Sequence, residues 1–563
     1  MASSDAYRAI TGSEHPHPDG HRKLRPTDGA EAVTVSLQLR RTPGSAPITP
    51  ESVAAGAGAA RRPSREAFAA ARGADPTEID AVVAFARSAG LDVLETDAAR
   101  RSVVVRGPAS AINRAFDVQL NDYEYEHGAY RSHDGPVSLP ASIADSVEAV
   151  IGLTNRKVRA THFSNGSAAG AALDPADTQP LTPAQVAALY DFPAGDGTGQ
   201  TIGIYEMETG GGPAGYAASD IAATLVALGN LPTPNIVDVP VDGTQNSGQS
   251  DGETGLDITV SGALAPAATI AVYFAGGQVQ NMLHALQMMI HPQAGEPTPS
   301  IISISYGWGP DDTGTASFSD SEFAQFTSLF EDAATNKITV LVSSGDSGAY
   351  VESTTQAQTS YPASDIWVTA CGGTTIGNVS GAAFEEWVWN DGGDAGPAAT
   401  GGGVSARFPV PAYQAETAIP TRNGTGQAGR GVPDIAGNAS ENSGYPQVIN
   451  GSPPQPVGGT SAVAPLYAGL MARINQNNGF PAGYLNTTLY GLPASTFNDI
   501  VGAPGPANNS CNGVTGYPAG PGWDACTGFG SVNGQALQAA IKAAAAATPP
   551  PAPPPPASPV AAS

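Results

Sequence analysis

Three short motifs hold residues able to carry out acyl transfer. Ser461 stands in "GGTSAVAPLYAGL" (458–470), after Gly-Gly-Thr and before a run of small and apolar residues. That order places the hydroxyl at the start of a buried helix, whose free N–H groups favour developing negative charge. The glycines let a peptide backbone come close, and Pro465 falls in the first helical turn, where its missing N–H costs little. A serine so placed is a nucleophile or the N-cap of a core helix. A nucleophile needs a base. "GETGLDITVSGALAP" (252–266) supplies Glu253 and Asp257 at i, i+4, one face of a helix. Neighbouring carboxyls resist double ionisation and titrate as a pair. Such a pair accepts a serine proton in acid, where an ordinary His is already protonated. On its own the spacing equally marks a solvated helix face. In "VLVSSGDSGAY" (340–350), Asp346 falls just past the carboxyl end of a buried strand. It can donate a hydrogen bond to an oxyanion only when protonated; the other reading is an Asx-turn.

Histidine offers no competing base. His284 and His291 are the only two after residue 170, and both belong to the helical pattern "NMLHALQMMIHP". They read as structural helix-face residues.

These groups need a scaffold. The runs 201–207, 268–275, 300–307 and 338–345 read as buried strands, with helices at 215–228, 255–264, 280–290 and 320–335. Buried strands alternating with helices predict an α/β fold with a doubly wound, mostly parallel sheet, ligands lying beyond the strand carboxyl ends. Ahead of it, strands at 31–40, 91–96, 101–105 and 117–125 and helices at 76–89 and 108–116 follow a β-α-β-β-α-β order, that of a ferredoxin-like α+β unit. Between the two lies a small, polar, Pro-containing stretch suited to nicking.

Charge divides the chain at the same place. Of 25 Lys and Arg and 51 Asp and Glu, residues 1–170 hold 19 and 20, and the remainder 6 and 31. The net charge of −26 argues against general nucleic-acid binding. No apolar run is long enough to span a membrane, and three cysteines make no disulfide scaffold. The polar stretch 1–19 lacks the apolar core of a secretory signal.

Together the three motifs resemble the sedolisin (serine-carboxyl peptidase) family, over residues 181–529; "VPDIAGNA", "ACGGT", "GGGVS" and "GPGWDACTGFG" are similar to it as well. The resemblance implies a subtilisin-like catalytic domain at 181–542 behind a ferredoxin-like inhibitory and chaperone propeptide at 1–161. It also implies an activation linker at 162–180, cut around Gly166–Asp177, and leaves 543–563 as a disordered Ala/Pro-rich tail. It implies Ser461 as nucleophile, Glu253 as base, Asp257 as the partner that orients and shares protons with Glu253, and Asp346 in the oxyanion hole. Glu206 would extend the carboxyl chain. Ser305 to Gly307 would supply the edge that pairs with extended substrate. One structural Ca²⁺ would be held by Asp499, Ile500, Gly520, Gly522 and Asp524.

The chain departs from the family pattern at Tyr306, where Trp is usual, and at Ser360, where an Asp would support a basic P2 residue. Cys511 and Cys526 flank the Ca²⁺ loop and are compatible with a disulfide or with two thiols. The expectation is therefore a monomeric, secreted, acid-active endopeptidase made as a self-inhibited precursor. A tripeptidyl exopeptidase of the same family is the second reading, and an inactive Ca²⁺-stabilised binding protein the third. The acidity suits work in acid, because few basic groups remain to repel one another once the carboxylates are neutral.

Overall fold

The computed structural model describes residues 6–17, 20–55, 62–125, 128–158, 178–208, 212–307, 318–351, 355–392, 398–502 and 504–547. The cleavage window 166–177 and the tail beyond residue 547 fall outside the described residues.

The larger unit is built on an eight-stranded sheet. Its path runs Asn235–Pro240, Thr269–Ala275, Thr201–Met207, Ile301–Ile304, Thr339–Ser343, Thr369–Ser380 and Ala383–Val388, with Ile435–Asn438 joining the Thr369–Ser380 strand. All pairs but the Thr369–Ser380/Ala383–Val388 pair are parallel. Parallel strands covered on both faces need apolar residues on both. Ile202, Ile204, Ile270, Val272, Ile301 and Leu341 are accordingly buried in one core, and Tyr205, Tyr273, Ile302 and Val342 in another. The sheet is the expected doubly wound one.

Two helices on one side position the chemistry. Glu253–Leu264 is buried along its whole length, and Val463–Asn478 packs against it. The close approach depends on Gly469, where a Cβ would come within 2.5 Å of Leu264 Cβ. Ser319 caps the Asp320–Thr335 helix through a capping box with Glu322.

The N-terminal unit holds a four-stranded antiparallel sheet in the order Asp92–Asp97, Ser102–Pro108, Ala32–Leu39, Val147–Ile151. This is the ferredoxin-like order, with one correction to the sequence reading. The fourth strand is Val147–Ile151; Leu120–Tyr125 instead joins a separate sheet with Arg22–Pro26 and Gly128–His133. Alternation alone does not say which sheet a strand enters. A second correction concerns the C-terminus, where the helix Gly534–Ala547 runs past the expected boundary at 542, anchored by buried Leu537 and Ile541. No described helix is long and apolar enough to cross a membrane.

Candidate active site

The two helices bring Ser461 and Glu253 together. Gly459, at φ 95°, leads into the turn Thr460–Ala462, and Gly252, at φ 93°, precedes Glu253. Both backbone positions favour glycine. The Ser461 hydroxyl donates to Glu253 Oε2 at 3.1 Å and lies 3.3 Å from the Ser305 carbonyl. Among the described residues no hydroxyl or amide donates to Glu253 Oε1. Asp257, fully buried on the same helix, takes the Ser305 hydroxyl, which lies 2.8 Å from Oδ2 and 3.0 Å from Oδ1.

Glu206, at the end of the central Thr201–Met207 strand, accepts from the Tyr306 hydroxyl at 2.6 Å. Tyr306 thus keeps a donor where the family pattern has Trp, and its ring packs edge-on against Tyr205. Three carboxyls therefore share one water-poor site. Burial raises Glu253 well above the ordinary range, with repulsion from Asp257 and Glu206 adding to it. Glu206 and Asp257 rise for the same leading reason.

Asp346 follows the Thr339–Ser343 strand. Its Oδ1 accepts from Thr460 N at 2.8 Å and Thr460 Oγ1 at 2.7 Å, while buried Oδ2 has no partner among the described residues. Burial raises this carboxyl well above its usual value, and Glu441 adds repulsion. With Oδ1 occupied as an acceptor twice over, a proton on Oδ2 is the arrangement that leaves a donor free.

The expected substrate edge is partly committed. Ser305 and Tyr306 are buried and their side chains hold Asp257 and Glu206, so of the three residues Gly307 keeps only backbone to offer. The sequence reading missed the Ser305 side-chain role, because nothing in "SISYGWG" shows which hydroxyl faces the carboxyls.

The expected Ca²⁺ residues also converge. Gly522 N–H donates to Asp499 Oδ2 at 2.8 Å, and Gly520 N–H to Asp524 Oδ2 at 3.0 Å. The carbonyls of Ile500, Gly520 and Gly522 accept no hydrogen bond from described residues. These carboxylates and carbonyls are the oxygen types a hard cation takes, although both Asp524 oxygens already accept hydrogen bonds, Oδ1 from Cys526 and Thr527 N–H and Oδ2 from Gly520 N–H. Among the described residues no cluster of three His, Cys, Asp or Glu forms a metal site, so the carbonyls are essential to any such site. No disulfide joins Cys511 and Cys526; both side chains are buried.

Neither late histidine approaches Ser461. His284 bridges Asp242 (2.9 Å) and Ser36 of the N-terminal unit (2.6 Å); His291 meets Asp332 at 3.1 Å. Both help seat the N-terminal unit. Arg41 reaches Asp332 and lies 2.9 Å from Glu331, and Arg101 donates to Ser328 at 2.7 Å. His15 pairs with Glu322 at 3.3 Å.

Fold and site together define a subtilisin-like serine peptidase architecture with carboxyls where a histidine base would be expected. Residues 59–156 match the Pro-kumamolisin activation domain and 232–495 the subtilase family. The chain is 42% identical to kumamolisin from Bacillus sp. (strain MN-32), over 92% of this chain and 93% of that one. It is 30% identical to tripeptidyl-peptidase sed5 of Aspergillus fumigatus, over 93% and 96%. Pseudomonas sedolisin, a serine-carboxyl proteinase solved with two molecules of pseudo-iodotyrostatin, superposes with a TM-score of 0.56 at 27% identity, covering 65% of this chain and 99% of that one. The chain belongs to the sedolisin family of serine-carboxyl peptidases and carries its own activation domain.

Proposed function

We propose that this sedolisin-family peptidase is an acid-active, secreted endopeptidase made as a self-inhibited precursor. The observation that carries the reading is the 3.1 Å contact from Ser461 to Glu253 within a buried set of carboxyls. Ser461 Oγ attacks a peptide carbonyl carbon while Glu253 takes the hydroxyl proton. One ionised member of the carboxyl set is enough for this, because the set titrates as a unit. Protonated Asp346 donates from Oδ2 to the developing oxyanion. Glu253 returns the proton to the leaving amine, and the acyl-enzyme forms. Water then attacks with Glu253 again as base, and Ser461 is regenerated. A Ca²⁺ held by Asp499, Asp524 and the three carbonyls would cross-link two loops and serve stability.

Self-inhibition is supported by the match of residues 59–156 to an activation domain and by the seating of the N-terminal unit on the catalytic unit through Arg41 and Arg101. The test is incubation at about pH 3–4, with Ser461→Ala alongside. Maturation and digestion of a denatured protein by the parent alone are expected; identical behaviour of both proteins would overturn the reading. The tripeptidyl alternative has the sed5 relative in its favour. An N-terminally blocked peptide separates the two, since an exopeptidase leaves it intact.

A further inference from the structure

The N-terminal unit ends its described path against the catalytic domain. Val158 N–H donates to the Gly277 carbonyl at 2.8 Å, and Lys157 forms an antiparallel bridge with Gln278. Lys157 Nζ lies 2.6 Å from Glu208 Oε1. Sheet order says where this is. The Thr201–Met207 strand, which delivers Glu206, lies between the Thr269–Ala275 and Ile301–Ile304 strands. Residues 277–278 follow the first neighbour and 305–307 the second. A peptide paired with 277–278 therefore lies past the carboxyl end of one neighbour of the central strand, as Ser305–Gly307 lies past the end of the other. Strand addition of this kind leaves side chains to be read by neighbouring groups.

The fit is close. A Cβ at Gly277 would come within 2.7 Å of the Glu208 carbonyl and 3.6 Å of the Lys157 side chain, so glycine there lets the two chains approach. Chain direction gives the side. Lys157 pairs antiparallel with Gln278 and its chain runs on towards the linker; a cut in 166–177 lies at least nine residues beyond it, so Lys157 marks an occupant of the N-terminal side and not a neighbour of the activation cut.

We infer that Glu208 forms a subsite for a basic side chain on the N-terminal side of the scissile bond, and that Lys157 occupies it in the precursor. This rests on the peptidase reading and adds a substrate class to it. A basic preference at P2 has no support at Ser360, so a preference carried by Glu208 is a separate one.

The test uses the full chain matured in acid and N-blocked quenched-fluorescence peptides. A single Lys is moved through the positions N-terminal to the cut and compared with norleucine. At one position Lys should raise kcat/KM by about fivefold, the scale of a partly exposed ion pair. Glu208→Gln should bring that ratio near one, and Glu208→Lys should turn the preference towards Glu. Absence of any basic preference, or one that Glu208→Gln leaves intact, overturns the subsite. A chain that cuts no peptide would overturn the peptidase reading instead. Amide exchange at Val158 then decides in full-length Ser461→Ala: faster exchange with Glu208→Gln supports the contact, and unchanged exchange overturns it.

Discussion

The Ser305 hydroxyl lies 2.8 Å from Asp257 Oδ2 and 3.2 Å from the Ser461 carbonyl, so one side chain links the carboxyl pair to the turn carrying Ser461. Ser305→Ala leaves Asp257 buried without this donor. A stability loss of about 1–3 kcal/mol is expected. A kcat loss of about 10²-fold should accompany it, if the pair shifts by a fraction of its present geometry. Thermal melts and single-turnover rates check the two effects separately. Parent-like values in both would remove Ser305 from the positioning of the pair.

Asp346 donates from Oδ2 only while protonated. Burial raises its pKa, so the donor is present below that raised value and is lost as pH rises through it. Asn keeps an acceptor for the two Thr460 donors and adds an amide donor that needs no proton. Asp346→Asn should extend the alkaline limb of kcat/KM to higher pH. A limb at the same pH in both proteins would take Asp346 out of the oxyanion role.

Stability should decline from acid towards neutral pH. Asp365, fully buried, is raised to about 6 by burial, against hydrogen bonds from Thr327 and Trp367. The folded state therefore holds a proton that the unfolded state has released between about pH 4 and 6. Its contribution is fully present below the unfolded value and is lost as pH rises through about 6. The penalty at neutral pH is about 3 kcal/mol. Asp365→Asn should flatten this part of the Tm–pH curve; an unchanged slope between pH 4 and 6 would contradict the assignment.

The N-terminal unit carries the opposite dependence. Burial lowers His133 to about 4, with repulsion from His15 adding to it and the Gly135 carbonyl opposing. His15 in turn faces Glu322 of the catalytic domain. A depressed histidine contributes stability that is present above its unfolded value and is lost as pH falls through about 4. The loss amounts to about 3 kcal/mol across that window. Acid thus loosens the activation domain while suiting the catalytic carboxyls. His133→Gln cannot take up the charge, and its maturation midpoint should move to lower pH on gels of acid-treated protein. Coincident midpoints would exclude His133 as a contributor.

Chelation should destabilise the chain if Asp499 and Asp524 hold Ca²⁺. EDTA is expected to lower Tm by several degrees, and added Ca²⁺ to restore it, as for any ligand bound only by the folded state. Asp499→Asn should weaken that response. A Tm indifferent to both reagents would reject the ion.

Local chemistry was legible wherever one short segment contains all of it. The Gly-Gly-Thr-Ser turn, the i, i+4 pair Glu253 and Asp257, and the strand-end Asp346 each announce themselves by residue type and spacing. The apolar strands likewise dictate the doubly wound sheet, because both their faces must be buried. Sequence alone also set the charge division, with nearly all of the acidity after residue 170.

Tertiary structure decided everything that depends on distant segments meeting. Only packing turns the Ser305 hydroxyl onto Asp257, sends Leu120–Tyr125 to a separate sheet, aims both late histidines at the N-terminal unit and brings Lys157 to Glu208. The reason is physical. Helix and strand periods say which face of an element is buried, whereas the partner of a buried polar group is set by contacts far apart in the chain, each needing its donor or acceptor satisfied.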